Sequence, residues 1–131
     1  MDDLSNNRKL ILVVEDDENN MLFYQELFKR SAYKAVFARN GLDAVKMVEE
    51  EKSLALILMD IKMPVMGGFE AFREIMKIRK IPVIAHTAYA LSGDREKAMA
   101  LGFNDYVTKP ISRDVLFRKI DTLINSVNES Q

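Results

Sequence analysis

The sequence predicts an α/β domain in which a five-stranded parallel sheet is covered by helices on both faces. Three observations carry that expectation. Five short apolar runs alternate with five amphipathic stretches along the 131 residues. The most apolar runs are continuous rather than alternating in polarity, which is the pattern of strands buried on both sides. No long linker, internal repeat or low-complexity tract interrupts the alternation, so right-handed crossovers join the strands.

The first strand is Lys9 to Val14 (KLILVV), rich in Ile, Leu and Val, and it stops at four acidic residues, Glu15 to Glu18. The helix that follows carries Met21, Tyr24 and Phe28 at 3-4 spacing, with Phe23 and Leu27 beside them, as far as Arg30. Lys34 to Ala38 is a weaker second strand, and Asn40 caps a helix whose Leu42, Val45 and Val48 face inward. Leu54 to Met59 (LALILM) is the most apolar run and ends abruptly at Asp60. A loop through Pro64 and the Gly67-Gly68 pair opens a helix reaching Arg79. Ile81 to Ala85 forms the fourth strand, ending at His86 and Thr87. Ser92 is the expected N-cap of a helix that ends near Gly102, with Asp94 and Glu96 in its first turn. Phe103 to Val107 is the fifth strand, followed by Lys109-Pro110, and Ser112 caps a last helix with Leu116, Ile120, Leu123 and Val127 on one face.

Composition bounds the function. The 19 Lys and Arg residues against 20 Asp and Glu offer no global attraction for DNA or an anionic membrane, so neither is an expected partner. The absence of Cys excludes disulfides, thiolate catalysis and thiolate zinc sites, and a single His argues against multi-histidine metal centres and a Ser-His-Asp triad. Any metal is therefore held by oxygen. Residues 1–8 read as a polar leader, 9–127 as one domain and 128–131 as a tail, leaving no room for an output domain. No window of 18 consecutive apolar residues and no signal peptide is present, and the expected location is cytoplasmic.

In a parallel sheet the residues after each strand meet at one edge, where such folds bind ligands. Here those residues are Glu15, Asp16 and Asp17 after the first strand, Asp60 after the third, Thr87 after the fourth and Lys109 after the fifth. Clustered carboxylates raise one another's pKa unless a cation compensates, and an all-oxygen set with space for water suits Mg²⁺. Asp60, fixed at the end of a buried strand, is the candidate nucleophile toward phosphorus. Mg²⁺, the Lys109 ammonium and the Thr87 hydroxyl would neutralise the phosphoryl charge.

Four motifs stand in register at successive strand ends: Val14-Glu15-Asp16, the stretch from Leu58 through Asp60 and Pro64 to Gly68, His86-Thr87-Ala88, and Asp105 through Lys109-Pro110 to Ile111. Together they resemble the receiver domain of two-component response regulators over nearly the whole chain. The resemblance implies a flavodoxin-like fold with strand order 2-1-3-4-5 and a phospho-acceptor at Asp60. It implies Mg²⁺ held by Asp16, by Glu15 through water, by Asp60 and by the backbone carbonyl of Lys62. Thr87 would bond a phosphoryl oxygen, Lys109 would pair with the phosphate, and Lys109-Pro110 would be cis. Tyr106 would be the switch aromatic, filling space that Thr87 vacates and shifting the face of the fourth helix, fifth strand and fifth helix; Phe117, Ile120 and Ile124 are expected near the edge of that partner surface. The implied phosphodonor is a histidine kinase or phosphotransfer protein.

Two features individualise the pattern. Gly67 stands where the family often has an acidic residue or asparagine, and a looser loop is expected there. Lys62 and Tyr89 flank the phosphoryl position and are expected to lengthen the lifetime of the phosphorylated form by obstructing water. Glu15 in place of the commoner Asp, and the stretch from Thr87 to Glu96, look most like receivers of hybrid histidine kinases and phosphorelays.

Blander readings compete at each position. An acidic run is ordinarily a solvated helix N-terminus, and His86 reads as a partly exposed strand-end residue with no chemistry. Tyr106 reads as an interface aromatic with its hydroxyl in water, and the eight Met as packing. An aspartyl-phosphate phosphohydrolase is disfavoured because Lys62 stands where the leaving-group acid belongs. A flavodoxin-like cofactor carrier is excluded by the acids after the first strand, which repel a phosphate.

Overall fold

The computed structural model describes residues 8–63, 65–87 and 93–129. Along them strands β1 (Lys9–Val14), β2 (Tyr33–Ala38), β3 (Leu54–Asp60), β4 (Val83–Thr87) and β5 (Asp105–Thr108) alternate with helices. The helices are α1 (Glu18–Lys29), α2 (Gly41–Glu50), α3 (Gly68–Ile78), α4 (Asp94–Leu101) and α5 (Arg113–Glu129). All strand pairs are parallel and the order is β2-β1-β3-β4-β5, as the resemblance implies. The chain leaves β1 toward β2 on one side and returns to β3 on the other, which opens a crevice beyond the C-terminal ends of β1 and β3.

Strand parity divides the core in two. Leu12, Val14, Ile57, Met59, Val83 and Ala85 point to one side and pack with Ala44 and Val48 of α2, Ala71, Phe72 and Ile75 of α3 and Ala98 of α4. Ile11, Val13, Leu56, Leu58 and Ile84 point to the other and pack with Tyr24 and Phe28 of α1 and Leu116, Ile120 and Ile124 of α5. Each fully buried Leu or Ile contributes about 2 kcal/mol through area removed from water, and both layers share the sheet. Asn40 caps α2 by accepting from the Asp43 N–H at 2.8 Å, and Ser112 precedes α5 with its hydroxyl 3.4 Å from the Val115 N–H.

Four expectations are corrected. Leu42 is exposed at 42%, because Gly41, Ala44 and Val48 form the inward stripe of α2 and Leu42 lies a third of a turn round from it. Ile120 and Ile124 are buried core of the α1/α5 packing layer and not surface, while Phe117, partly buried, stacks on Tyr33 at 6.1 Å. The N-cap of α4 is Gly93, in the left-handed region at φ 79°; Ser92, expected there, lies outside the described residues. Helix α5 runs on to Glu129, beyond the boundary expected at residue 127. Pro64, Tyr89 and the side chain of Val127 also lie outside the described residues, as do residues 1–7 of the leader.

Candidate functional site

The second core layer turns polar where the strands end. Two residues beyond Val13 comes Glu15, two beyond Leu58 comes Asp60, two beyond Ile84 comes His86 and two beyond Val107 comes Lys109. The same parity that buries the apolar residues against α1 and α5 therefore converges these four side chains at one edge. Thr87 has the opposite parity and shares the other layer with Tyr106.

The four consecutive acids divide their work. Glu15 is fully buried, its Oε2 accepting from the Asp17 N–H at 3.1 Å and from the Asn20 side-chain amide at 3.4 Å. Its Oε1 faces Lys109 Nζ at 3.3 Å. Asp16 is exposed beside it, and carboxylate oxygens of Glu15, Asp16 and Asp60 lie within 4.8 Å of one another. Asp17 instead caps α1, accepting from the Asn20 N–H at 2.9 Å, and Glu18 occupies the first helical turn. The solvated-terminus reading thus holds for half of the run. Three carboxylates so close, with one ammonium at 22% exposure between two of them, form a hard-oxygen donor set that fits Mg²⁺.

Asp60 is the site's perturbed group. Only 5% exposed, it accepts from the Lys62 N–H at 3.0 Å and lies 3.9 Å from Lys109 Nζ. Burial pushes its carboxyl up to about 7, with the Glu15 and Asp16 charges adding to the rise, while the Lys62 N–H and the Lys109 ammonium pull it down. A neighbouring cation would restore the ionised form that a nucleophile needs.

His86 is not partly exposed: it is fully buried, paired in register with Asp60 across β3 and β4. Tyr24 Oη lies 3.2 Å from its Nδ1. Burial, assisted by Lys109, drives its pKa down to about 3 against the raising effect of the Val14 carbonyl, so the ring is neutral. Tyr106 is likewise 8% exposed, and its hydroxyl finds no hydrogen-bond partner among the described residues, contrary to the expectation of a hydroxyl in water. Thr87 is 1% exposed, and its carbonyl accepts from the Lys109 N–H at 3.0 Å; the Lys109–Pro110 peptide is cis. Lys62 is exposed, with its ammonium 3.5 Å from Asp94 at the start of α4.

The loop after β3 is not loose at its second glycine. A Cβ on Gly68 would lie 2.6 Å from both the Asp60 carbonyl oxygen and Ile61 Cα, whereas Gly67 has room for one. Close approach of α3 to the acceptor strand is what Gly68 provides. The site roles of Tyr24 and Asp94 escaped the sequence reading because their partners, His86 and Lys62, lie far along the chain, and that of Asn20 because a polar residue in the first turn of a helix reads as solvated. Strand parity from Ile84 could have found His86.

A family model described as the response regulator receiver domain matches residues 11–121. The polar-differentiation response regulator DivK of Brucella anthropi is 40% identical over 95 residues, covering 70% of this chain and 76% of that protein. Hybrid signal transduction histidine kinase I of Dictyostelium discoideum is 38% identical over 107 residues; the match spans 75% of this chain but 6% of the kinase. Among solved structures, the receiver domain of sensor histidine kinase PA1611 from Pseudomonas aeruginosa, with magnesium in its active-site cleft, superposes with a TM-score of 0.81 at 35% identity, covering 90% of this chain and 98% of that one. The receiver of the Saccharomyces cerevisiae regulator Ssk1, crystallised with the phosphotransfer protein Ypd1, gives 0.78 at 30% identity and 86% coverage of both chains.

Proposed function

The chain belongs to the response regulator receiver domain family, and on that premise we propose that it takes a phosphoryl group onto Asp60 from a phosphohistidine and switches a partner-binding face. The observation that carries this reading is the meeting of Asp60 with Glu15, Asp16 and the Lys109 ammonium at the ends of buried strands. A carboxylate oxygen of Asp60 attacks phosphorus in line as the bond to the donor's imidazole nitrogen breaks, the electron pair remaining on the ring. Mg²⁺, bound by Asp16, Asp60, the Lys62 carbonyl and Glu15 through water, would supply positive charge to the carboxylates and the incoming phosphoryl oxygens. Lys109, 3.9 Å from Asp60, pairs with the phosphoryl group, and the Thr87 hydroxyl bonds another of its oxygens.

The donor is a histidine kinase or a histidine phosphotransfer protein. Phe23, 43% exposed on α1 and lining a shallow pocket with Lys109 and Ile111, gives it an apolar landing beside the site. The output is conformational: Thr87 drawn toward the phosphoryl group and Tyr106 packed inward bias a two-state equilibrium of the α4, β5 and α5 face. With such a donor the domain works in the cytoplasm as a signalling module and not as an enzyme on external substrates. The Dictyostelium and Pseudomonas relatives favour a second setting, the same chemistry inside a hybrid kinase or relay.

The resemblance implies that Lys62 and Tyr89 lengthen the lifetime of the phosphoryl group by obstructing water. The Lys62→Ala, Tyr89→Ala double variant is expected to lose phosphate several-fold faster than the parent, and an equal lifetime would dismiss the shielding. The reading as a whole is tested by intact mass after incubation with Mg²⁺ and a small acyl phosphate. One labile phosphoryl adduct is expected, absent with chelator and in Asp60→Asn. A folded protein that takes no phosphoryl group from either the acyl phosphate or a phosphorylated histidine donor would overturn it.

A further inference from the structure

On the α1 side of the acidic pocket lies a buried polar pair that the phosphoryl chemistry does not use. Tyr24 and His86 are 1% and 0% exposed, with Tyr24 Oη 3.2 Å from His86 Nδ1 and the rings edge to face at 5.5 Å. The second ring nitrogen, Nε2, has no hydrogen-bond partner at ordinary distance among the described residues; Glu15 Oε1 lies 3.9 Å from it, and the Val14 carbonyl also faces the ring. A phenol can donate or accept, so two arrangements are open. With the ring hydrogen on Nδ1, the Nε2 lone pair would face a carboxylate inside a fully buried site. With Tyr24 donating to Nδ1, the hydrogen sits on Nε2, the nitrogen 3.9 Å from that carboxylate.

We propose that Tyr24 and His86 are positioning residues for the cation pocket: the Tyr24 hydroxyl fixes the imidazole in its Nε2–H form, and that N–H holds Glu15 in place. The need for it follows from the donors around Glu15. Oε2 is held by the Asp17 N–H and the Asn20 amide, but Oε1 relies on Lys109 at 3.3 Å. Lys109 is the group that pairs with the phosphoryl oxygens in the proposed function, on which this inference rests. As Lys109 leaves Oε1, the Nε2–H remains as the donor that keeps a buried carboxylate compensated.

The chain has a single histidine, so its ring nitrogens give unambiguous ¹⁵N signals. At neutral pH the parent is expected to show Nε2 protonated and Nδ1 bare, and Tyr24→Phe to shift the ring toward Nδ1–H. Mg²⁺ titrations followed by backbone amide shifts should show roughly tenfold weaker binding in Tyr24→Phe and in His86→Leu, the lower end of what outer partners of metal ligands contribute. His86→Gln, whose amide can accept from Tyr24 and donate to Glu15, should restore binding to within about threefold of the parent. An Nδ1–H ring in the parent overturns the proposal, and so does parental Mg²⁺ affinity in both weakened variants. A parent with the Nε2–H ring that binds no Mg²⁺ overturns the cation-site reading and the positioning role with it, a result distinguishable from the other two.

Discussion

Replacing Asp60 by Asn should make the metal-free protein more stable while abolishing its chemistry. The Asp60 carboxyl is held up to about 7 from an ordinary 3.8, so keeping it ionised in the folded state costs free energy that an amide does not. Three pKa units correspond to about 4 kcal/mol as an upper bound. The amide forgoes the attraction of Lys109 at 3.9 Å, and solvent reaches part of the cluster, which leaves about 2 kcal/mol. For a 131-residue domain that is a rise in melting temperature of about 6 °C. The pH dependence carries the sign. Because the folded-state pKa is the higher one, the parent's deficit is absent below about pH 4, grows as pH rises to about 7 and is constant above. Melting curves of parent and variant in chelator at pH 3.5, 5.5 and 8 test this. Added Mg²⁺ should reverse the order at pH 8, since the parent offers a cation three clustered carboxylates where the variant offers two, and binding would stabilise by about 2.7 kcal/mol at a hundred times its Kd. A variant less stable than the parent at pH 8 in chelator, or a gap that persists undiminished at pH 3.5, would refute the reasoning.

Three further expectations follow from the loop, Tyr106 and one strained residue. Gly68→Ala sets a Cβ 2.6 Å from the Asp60 carbonyl and should cost about 3 kcal/mol in denaturant unfolding, with weakened Mg²⁺ binding as the Lys62 N–H shifts from Asp60; parental stability would show that α3 does not need the close approach. Tyr106→Phe removes a buried hydroxyl without a partner among the described residues, so stability should hold or rise by up to about 1 kcal/mol, and a clear loss would reveal a bond to that oxygen. Val65 sits at φ 70° and is 80% exposed; Val65→Asn, which tolerates the left-handed region, should gain about 1 kcal/mol with an unchanged denaturant slope, checked by urea titration.

The alternation of strand and helix, the boundaries of β1 and the caps at Asn40 and Ser112 were legible in the chain because they depend on neighbours a few residues away. The same holds for the position of Asp60, since a buried run that ends in an acid delivers that acid to the sheet edge. Leu42 misled because an apolar residue at an allowed spacing says nothing about which of two adjacent stripes meets the sheet. His86 and Tyr106 misled for a related reason: a polar group at a strand end looks exposed until the helices covering that end are in place.

Local pattern therefore settles which elements form and which residue types stand at the sheet's C-terminal edge, because hydrophobic period and turn chemistry are properties of short stretches. Distances and burial belong to the assembled molecule. Glu15 and Lys109 are 94 residues apart in sequence and 3.3 Å apart in space, and Tyr24 meets His86 across 62 residues. The raised carboxyl of Asp60, the neutral ring of His86 and the division of the acids into a carboxylate cluster and a helix cap arise from packing α1 over the ends of β1, β3 and β4. Desolvation and the placement of distant charges are collective consequences of that packing, with no counterpart in a local stretch of chain.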